Sequence, residues 1–190
     1  MFLKELTELS GVSGCEYEVR NYIKNKLSEM GCEYYVDKLG NIIAHNKGRK
    51  NKTIMVAAHM DEVGLIVNHI DSDGFIKFRA VGGIDQRVLN SKVVLVGEKK
   101  IPGVIGSKAV HLMSADERGK SISIEKLYID IGSDSKSETE KLVSIGDYIT
   151  FKSDYVEFGD NMIKAKALDD RAGCSMILEL LNMKLDADFY

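Results

Sequence analysis

The chain has 190 residues, 44% hydrophobic and 29% charged, with a formal net charge of −3. That length can hold one sizeable core or two smaller ones, and the acidic balance gives no electrostatic footing for nucleic acid. Three cysteines, Cys15, Cys32 and Cys174, without a Cys-x-x-Cys spacing, argue against a disulfide framework or a thiolate zinc site and fit a reducing compartment.

Residues 1–10 carry Lys4, Glu5 and Glu8 among their apolar side chains, so they lack a signal peptide's unbroken apolar core. No apolar run approaches the roughly 20 residues of a membrane span. A cytoplasmic protein with no membrane partner is expected. Phe2, Leu3, Leu6 and Leu9 predict a short helix, interrupted by Gly11-Val12-Ser13-Gly14. Ser13 followed by Glu16 has the spacing of a capping box. Val19, Ile23, Leu27 and Met30 continue at helical spacing to a stop at Gly31, which predicts an amphipathic helix over 16–30.

Residues 33–37 and 41–45 read as strands around Leu39-Gly40. The basic stretch from Lys47 to Lys52 reads as a solvated hairpin loop. Residues 53–58 form a continuous apolar run, which predicts a central strand buried on both faces. From Leu65 the texture changes to short strand-like runs at 65–70, 75–81, 93–96, 104–105, 127–131 and 148–152, with one short helix capped by Ser137. This suggests a barrel-like or sandwich-like module. After Asp170 helical periodicity returns, with Ala172, Met176, Leu180 and Met183 on one face and Ile177, Leu178 and Leu181 widening it. Such a helix is predicted to be buried. The expected organisation is an α/β domain over residues 1–67 and 159–190, interrupted by a β-rich domain over 68–158.

Two segments carry chemistry. His59-Met60-Asp61 follows the apolar run, at the strand end where ligands gather in open α/β sheets. In extended backbone alternate side chains share a side, so Asp61 can accept the second ring N–H of His59 and fix its tautomer for a metal. A strand-capping His paired with a nearby Asp is the alternative. Asp169-Asp170-Arg171 precedes the last helix. One Asp there can cap the helix, or a carboxylate can bridge two cations, with zinc, cobalt and manganese all compatible. His45, His69 and His111 read as packing or surface residues. There is no Gly-x-Ser-x-Gly elbow, P-loop or Gly-x-Gly-x-x-Gly pattern.

Residues 55–64 and 166–173 resemble the tetrahedral aminopeptidases, the glutamyl and deblocking aminopeptidase family, some members of which carry an endoglucanase label. Leu9 to Gly14, Val81 to Asp85, Ile101 to Gly106, Asp130-Ile131-Gly132 and Ile145-Gly146-Asp147 are similar to further segments of that family, in order. The resemblance implies a zinc-peptidase-like α/β catalytic domain with an inserted barrel-like dimerisation domain. It implies two divalent metal ions, zinc or cobalt, and removal of N-terminal residues from peptides. It also implies assembly into homo-oligomers, dimers or dodecamers. By position it makes His59 a metal ligand, Asp169 the bridging ligand, and Asp61 the candidate catalytic carboxylate that orients His59. Asp170 is not carried over. The family's Glu-Glu pair and its later Asp and His ligands have no counterpart here, so a fragment or truncated frame is expected. Two other readings stay open: a carboxypeptidase or deacylase on the same dinuclear core, and a non-catalytic oligomerisation or interaction fragment.

Overall fold

The computed structural model describes residues 2–109, 111, 114, 121–184 and 186–190. The chain divides into two compact units, Met1–Glu62 with Ser153–Tyr190, and Val63–Lys152. These boundaries fall earlier than the 67/68 and 158/159 breaks expected from the change in sequence texture.

The first unit opens with α1 (Phe2–Glu8), which buries Leu3, Leu6 and Thr7. Helix α2 (Tyr17–Glu29) buries Val19, Ile23 and Leu27, spaced by four along one face. Its end is a Schellman motif. Gly31 sits at φ +69°, Gly31 N–H donates to Ser28 O and Cys32 N–H to Leu27 O. Its start departs from the capping-box expectation. The helix begins four residues past Ser13, with Glu16 at the N-cap and no side-chain cap bond. The Ser13 hydroxyl is engaged on Asp61 instead. Strands β1 (Glu33–Val36) and β2 (Ile42–His45) form an antiparallel hairpin. Asp37 closes its turn by accepting the N–H groups of Leu39 and Asn41.

Strand β3 (Lys50–Ile54) corrects two expectations. The basic stretch enters a strand and is not a hairpin loop, and the apolar run after Ile54 is not a strand buried on both faces. Met55 is 74% exposed and Ile54 51%. The physical reason lies in the pairing. Among the described residues β3 pairs with β12 alone, and the chain leaves the strand after Ile54.

The second unit is a closed six-stranded barrel in the order β4-β5-β8-β7-β6-β9. Its strands are β4 (Gly64–Ile70), β5 (Ile76–Val81), β6 (Val93–Val96), β7 (Ile101–Gly106), β8 (Tyr128–Asp130) and β9 (Tyr148–Phe151). Closure removes free edges, and inward residues such as Leu65, Val67, Phe78, Val94, Ile105 and Ile149 fill the interior. Asp71 holds the β4–β5 turn by accepting from Asp73 N and Phe75 N. Helix α3 (Lys136–Leu142) belongs to this unit; its N-cap position is Ser135, two residues before the expected Ser137, with no side-chain cap bond.

The chain then returns to the first unit with a second antiparallel hairpin, β10 (Val156–Phe158) and β11 (Met162–Lys164). Helix α4 (Leu168–Leu181) follows, and β12 (Ala187–Phe189) pairs in parallel with β3. The buried face of α4 is Arg171, Cys174, Ser175, Leu178 and Leu181. It is rotated from the expected Ala172, Met176, Leu180 and Met183 face, and Met176 is 61% exposed. α4 buries the side that meets α1 and α2, so the apolar flank beyond it remains at the surface.

Candidate metal centre

The site lies within the first unit, where residues 59–62 run beside the loop that follows α1. Val12 and Glu62 form a parallel bridge. Glu62 N–H donates to Gly11 O at 2.8 Å and Ser13 N–H to Glu62 O at 3.2 Å. The Glu62 carboxylate accepts Gly11 N–H at 3.0 Å and faces Lys166 Nζ at 2.7 and 2.9 Å. Both side chains of that ion pair are almost fully buried, 4% and 10% exposed. The pair therefore clamps residues 59–62 to the segment that leads into α4.

Asp169 and Asp170 lie in the first turn of α4 with non-helical backbone, and the peptide between them is cis. Asp170 Oδ1 accepts Gly173 N–H at 3.0 Å, the bond of a helix cap. A Cβ on residue 173 would stand 2.5 Å from Asp170 Oδ2, so a larger residue there would displace the capping carboxylate. Asp169 is left to point outward, 96% exposed, with Oδ1 3.0 Å from His59 Nε2. The other ring nitrogen, Nδ1, lies 3.0 Å from Asp61 Oδ1. The structure thus brings His59, Asp61 and Asp169 together from positions 110 apart in the chain.

Burial pushes the His59 pKa down, but the hydrogen bond to Asp169 and the charges of Asp61 and Asp169 outweigh it, leaving the ring above its ordinary value. The Ser13 hydroxyl holds Asp61 below the usual carboxylate range, against burial and with His59 adding to the effect. The imidazole thus lies between two carboxylates, one at each ring nitrogen. The donor chemistry fits a metal cation. Two ligands at about 2.0–2.2 Å from one tetrahedral ion lie roughly 3.4 Å apart, close to the observed separation of His59 Nε2 and Asp169 Oδ1. Among the described residues no group of three or more His, Cys, Asp or Glu converges on one point, so this segment offers two ligands, and a complete tetrahedral set needs more.

A depression of about 470 Å³ opens beside His59 and Asp61, with Glu16, Arg20, Asn41, Met60 and Asp170 on its walls. His45 lies elsewhere and stacks on Tyr190 at 4.4 Å. His69 is exposed on β4 and His111 is exposed. The buried residues behind the site were not singled out from sequence. Arg171, wholly buried, donates from Nη1 to Leu6 O at 2.6 Å, and burial depresses its pKa, with Glu62 opposing. Lys166 is lowered by burial too, against the pull of Glu62. The available signal was their placement within or beside the two motifs.

The family model described as M42 glutamyl aminopeptidase matches residues 40–189. The chain belongs to that family. FrvX of Escherichia coli K12, which carries an aminopeptidase name, is 42% identical over 183 residues, covering 94% of this chain and 51% of its own. A Thermotoga maritima structure called an endoglucanase superposes with TM-score 0.85 at 43% identity, over 100% of this chain and 57% of that one. The TET1 peptidase of Pyrococcus horikoshii, described as assembling into a tetrahedron or a large octahedral shell, superposes with TM-score 0.87 at 35% identity, over 98% and 58%. The chain spans about half the length of these relatives.

Proposed function

We propose that this chain supplies the N-terminal half of a metal-dependent aminopeptidase that removes residues from the N-termini of peptides. The observation that carries the reading is His59 held between Asp61 and Asp169, 3.0 Å from each. His59 Nε2 and Asp169 would hold the cation, with zinc or cobalt compatible with a nitrogen and oxygen donor pair. Asp169, with its exposed carboxylate, would be the residue available to a second ion. Such a cation, when bound, polarises a carbonyl and lowers the pKa of water. Asp61 orients the imidazole and selects the tautomer with its proton on Nδ1. The depression beside His59 gives an extended peptide end room to approach.

The barrel of Val63–Lys152 is read as an inserted assembly domain, with homo-oligomers as the resulting state; the shell-forming relative supports this. The described helices include none long and apolar enough to cross a membrane, and free cysteines support a reducing, cytoplasmic setting. An endoglucanase activity is not proposed, since sugar hydrolysis typically uses a carboxylic-acid pair without metal.

The test is hydrolysis of amino-acid anilides by the protein carrying the family's full length, before and after chelation. Turnover abolished by chelator and restored by zinc or cobalt supports the reading. Chelator-insensitive turnover, or none with metal restored, refutes it.

A further inference from the structure

We propose that Ser13 is a positioning residue for this centre, acting through Asp61 on the ligand geometry of His59. The proposal rests on the metal-centre reading above. Asp61 splits its two oxygens. Oδ1 faces His59 Nδ1 at 3.0 Å, and Oδ2 accepts the Ser13 hydroxyl. A carboxylate held at one oxygen can still swing about its χ2 bond, a broad and soft torsion. Held at both, its plane is set, and so is the direction in which it presents Oδ1 to the imidazole. That in turn fixes which way Nε2 faces, and Nε2 is the atom 3.0 Å from Asp169.

The loop does not need this hydroxyl to hold its own course. Its backbone is already fastened to residue 62 by Glu62 N–H on Gly11 O and Ser13 N–H on Glu62 O, and Gly11 N–H is taken by the Glu62 carboxylate. Cys15 N–H donates back to Val12 O. The Ser13 side chain is therefore spare for another task, and it is spent on Asp61, 48 positions away. α2 starts without it, so a capping role does not account for the residue either. Groups that orient a metal-binding His from behind typically matter 10–100-fold for metal affinity or activity, and a hydroxyl acting one bond further out belongs at the lower end of that range.

The experiment measures zinc affinity by competition with a chromophoric chelator on the full-length protein. Wild type, Ser13→Ala, Ser13→Thr, Asp61→Asn and the double variant Ser13→Ala/Asp61→Asn are compared, with thermal midpoints recorded metal-free. The expected result is about a tenfold loss for Ser13→Ala, near-wild-type affinity for Ser13→Thr, and no further loss when Ser13→Ala is added to Asp61→Asn. Ser13→Ala that lowers the metal-free midpoint while leaving affinity unchanged would overturn the proposal, as would a loss that persists undiminished beside Asp61→Asn. Wild-type protein that binds no zinc would remove the metal-centre reading itself, and the proposal with it. Wild-type binding with Ser13→Ala unchanged would remove the proposal alone.

Discussion

The two adjacent aspartates do different work, and substitution should separate them. Asp170 caps α4 through Gly173 N–H, a task asparagine performs equally well. Asp169 faces His59 with a nearly fully exposed carboxylate, where an amide offers no charge to a cation. Asp169→Asn should abolish metal-dependent turnover and Asp170→Asn should leave most of it, whereas Asp170→Ala should cost about 1 kcal/mol of stability. Equal losses at Asp169 and Asp170 to asparagine would contradict this division. Asp61→Asn should retain activity reduced roughly 10–100-fold. Cys174 gives a pH prediction. Burial pushes its thiol from 9.0 up to about 11, with Arg171 opposing. The unfolded chain sheds this proton near 9 and the folded chain keeps it until about 11, so the stability tied to the neutral thiol is intact below pH 9 and lost as pH rises through 11. Alkylation at pH 8 should therefore spare Cys174 until the protein unfolds; labelling followed by peptide mass spectrometry checks it. The two segments that carry His59, Asp61 and Asp169 were legible as motifs, although His59 lies past the end of β3 at Ile54 and not at the strand end expected for it. Ser13, Lys166 and Arg171 were not, because their roles arise where segments dozens of residues apart meet side by side.

At the scale of elements, the ion pair Glu62–Lys166 joins the two motif-bearing segments at 2.7 Å with almost no solvent. Removing one partner leaves a buried charge, a loss of roughly 3–5 kcal/mol, while replacing both can be nearly neutral. Lys166→Met alone should thus destabilise far more than Lys166→Met with Glu62→Gln, measured by denaturant unfolding; equal losses would show that the pair does not act as a clamp. The strands of the barrel were readable from short apolar runs and turn residues such as Asp71 and Gly74, and the end of α2 from Gly31. The start of α2 departs from expectation because Ser13 and Glu16 satisfy the spacing of a capping box while the backbone there serves the bridge to Glu62. β3 and the exposed side of α4 depart from the sequence expectation for a shared reason. An apolar run says that a surface favours cover, and it does not say which of its sides another element packs on.

At the scale of the molecule, the fold is a mixed α/β unit and a closed barrel, and the first unit carries an apolar groove of about 390 Å³ between α2, residues 55–60 and α4. With Met55 exposed on its wall, residues 1–190 alone should self-associate in a concentration-dependent way; sedimentation velocity across a dilution series checks this, and a monomer at all concentrations would contradict it. With two ligands from this segment, the same chain should show no aminopeptidase turnover even with added metal. The central claim is that His59 and Asp169 share a cation. Anomalous diffraction from crystals of the cobalt- or zinc-loaded full-length protein tests it most directly. The expected result is a peak about 2.0–2.2 Å from both His59 Nε2 and an Asp169 oxygen, with Asp61 on the far ring nitrogen. A bound metal located away from either residue would contradict the claim.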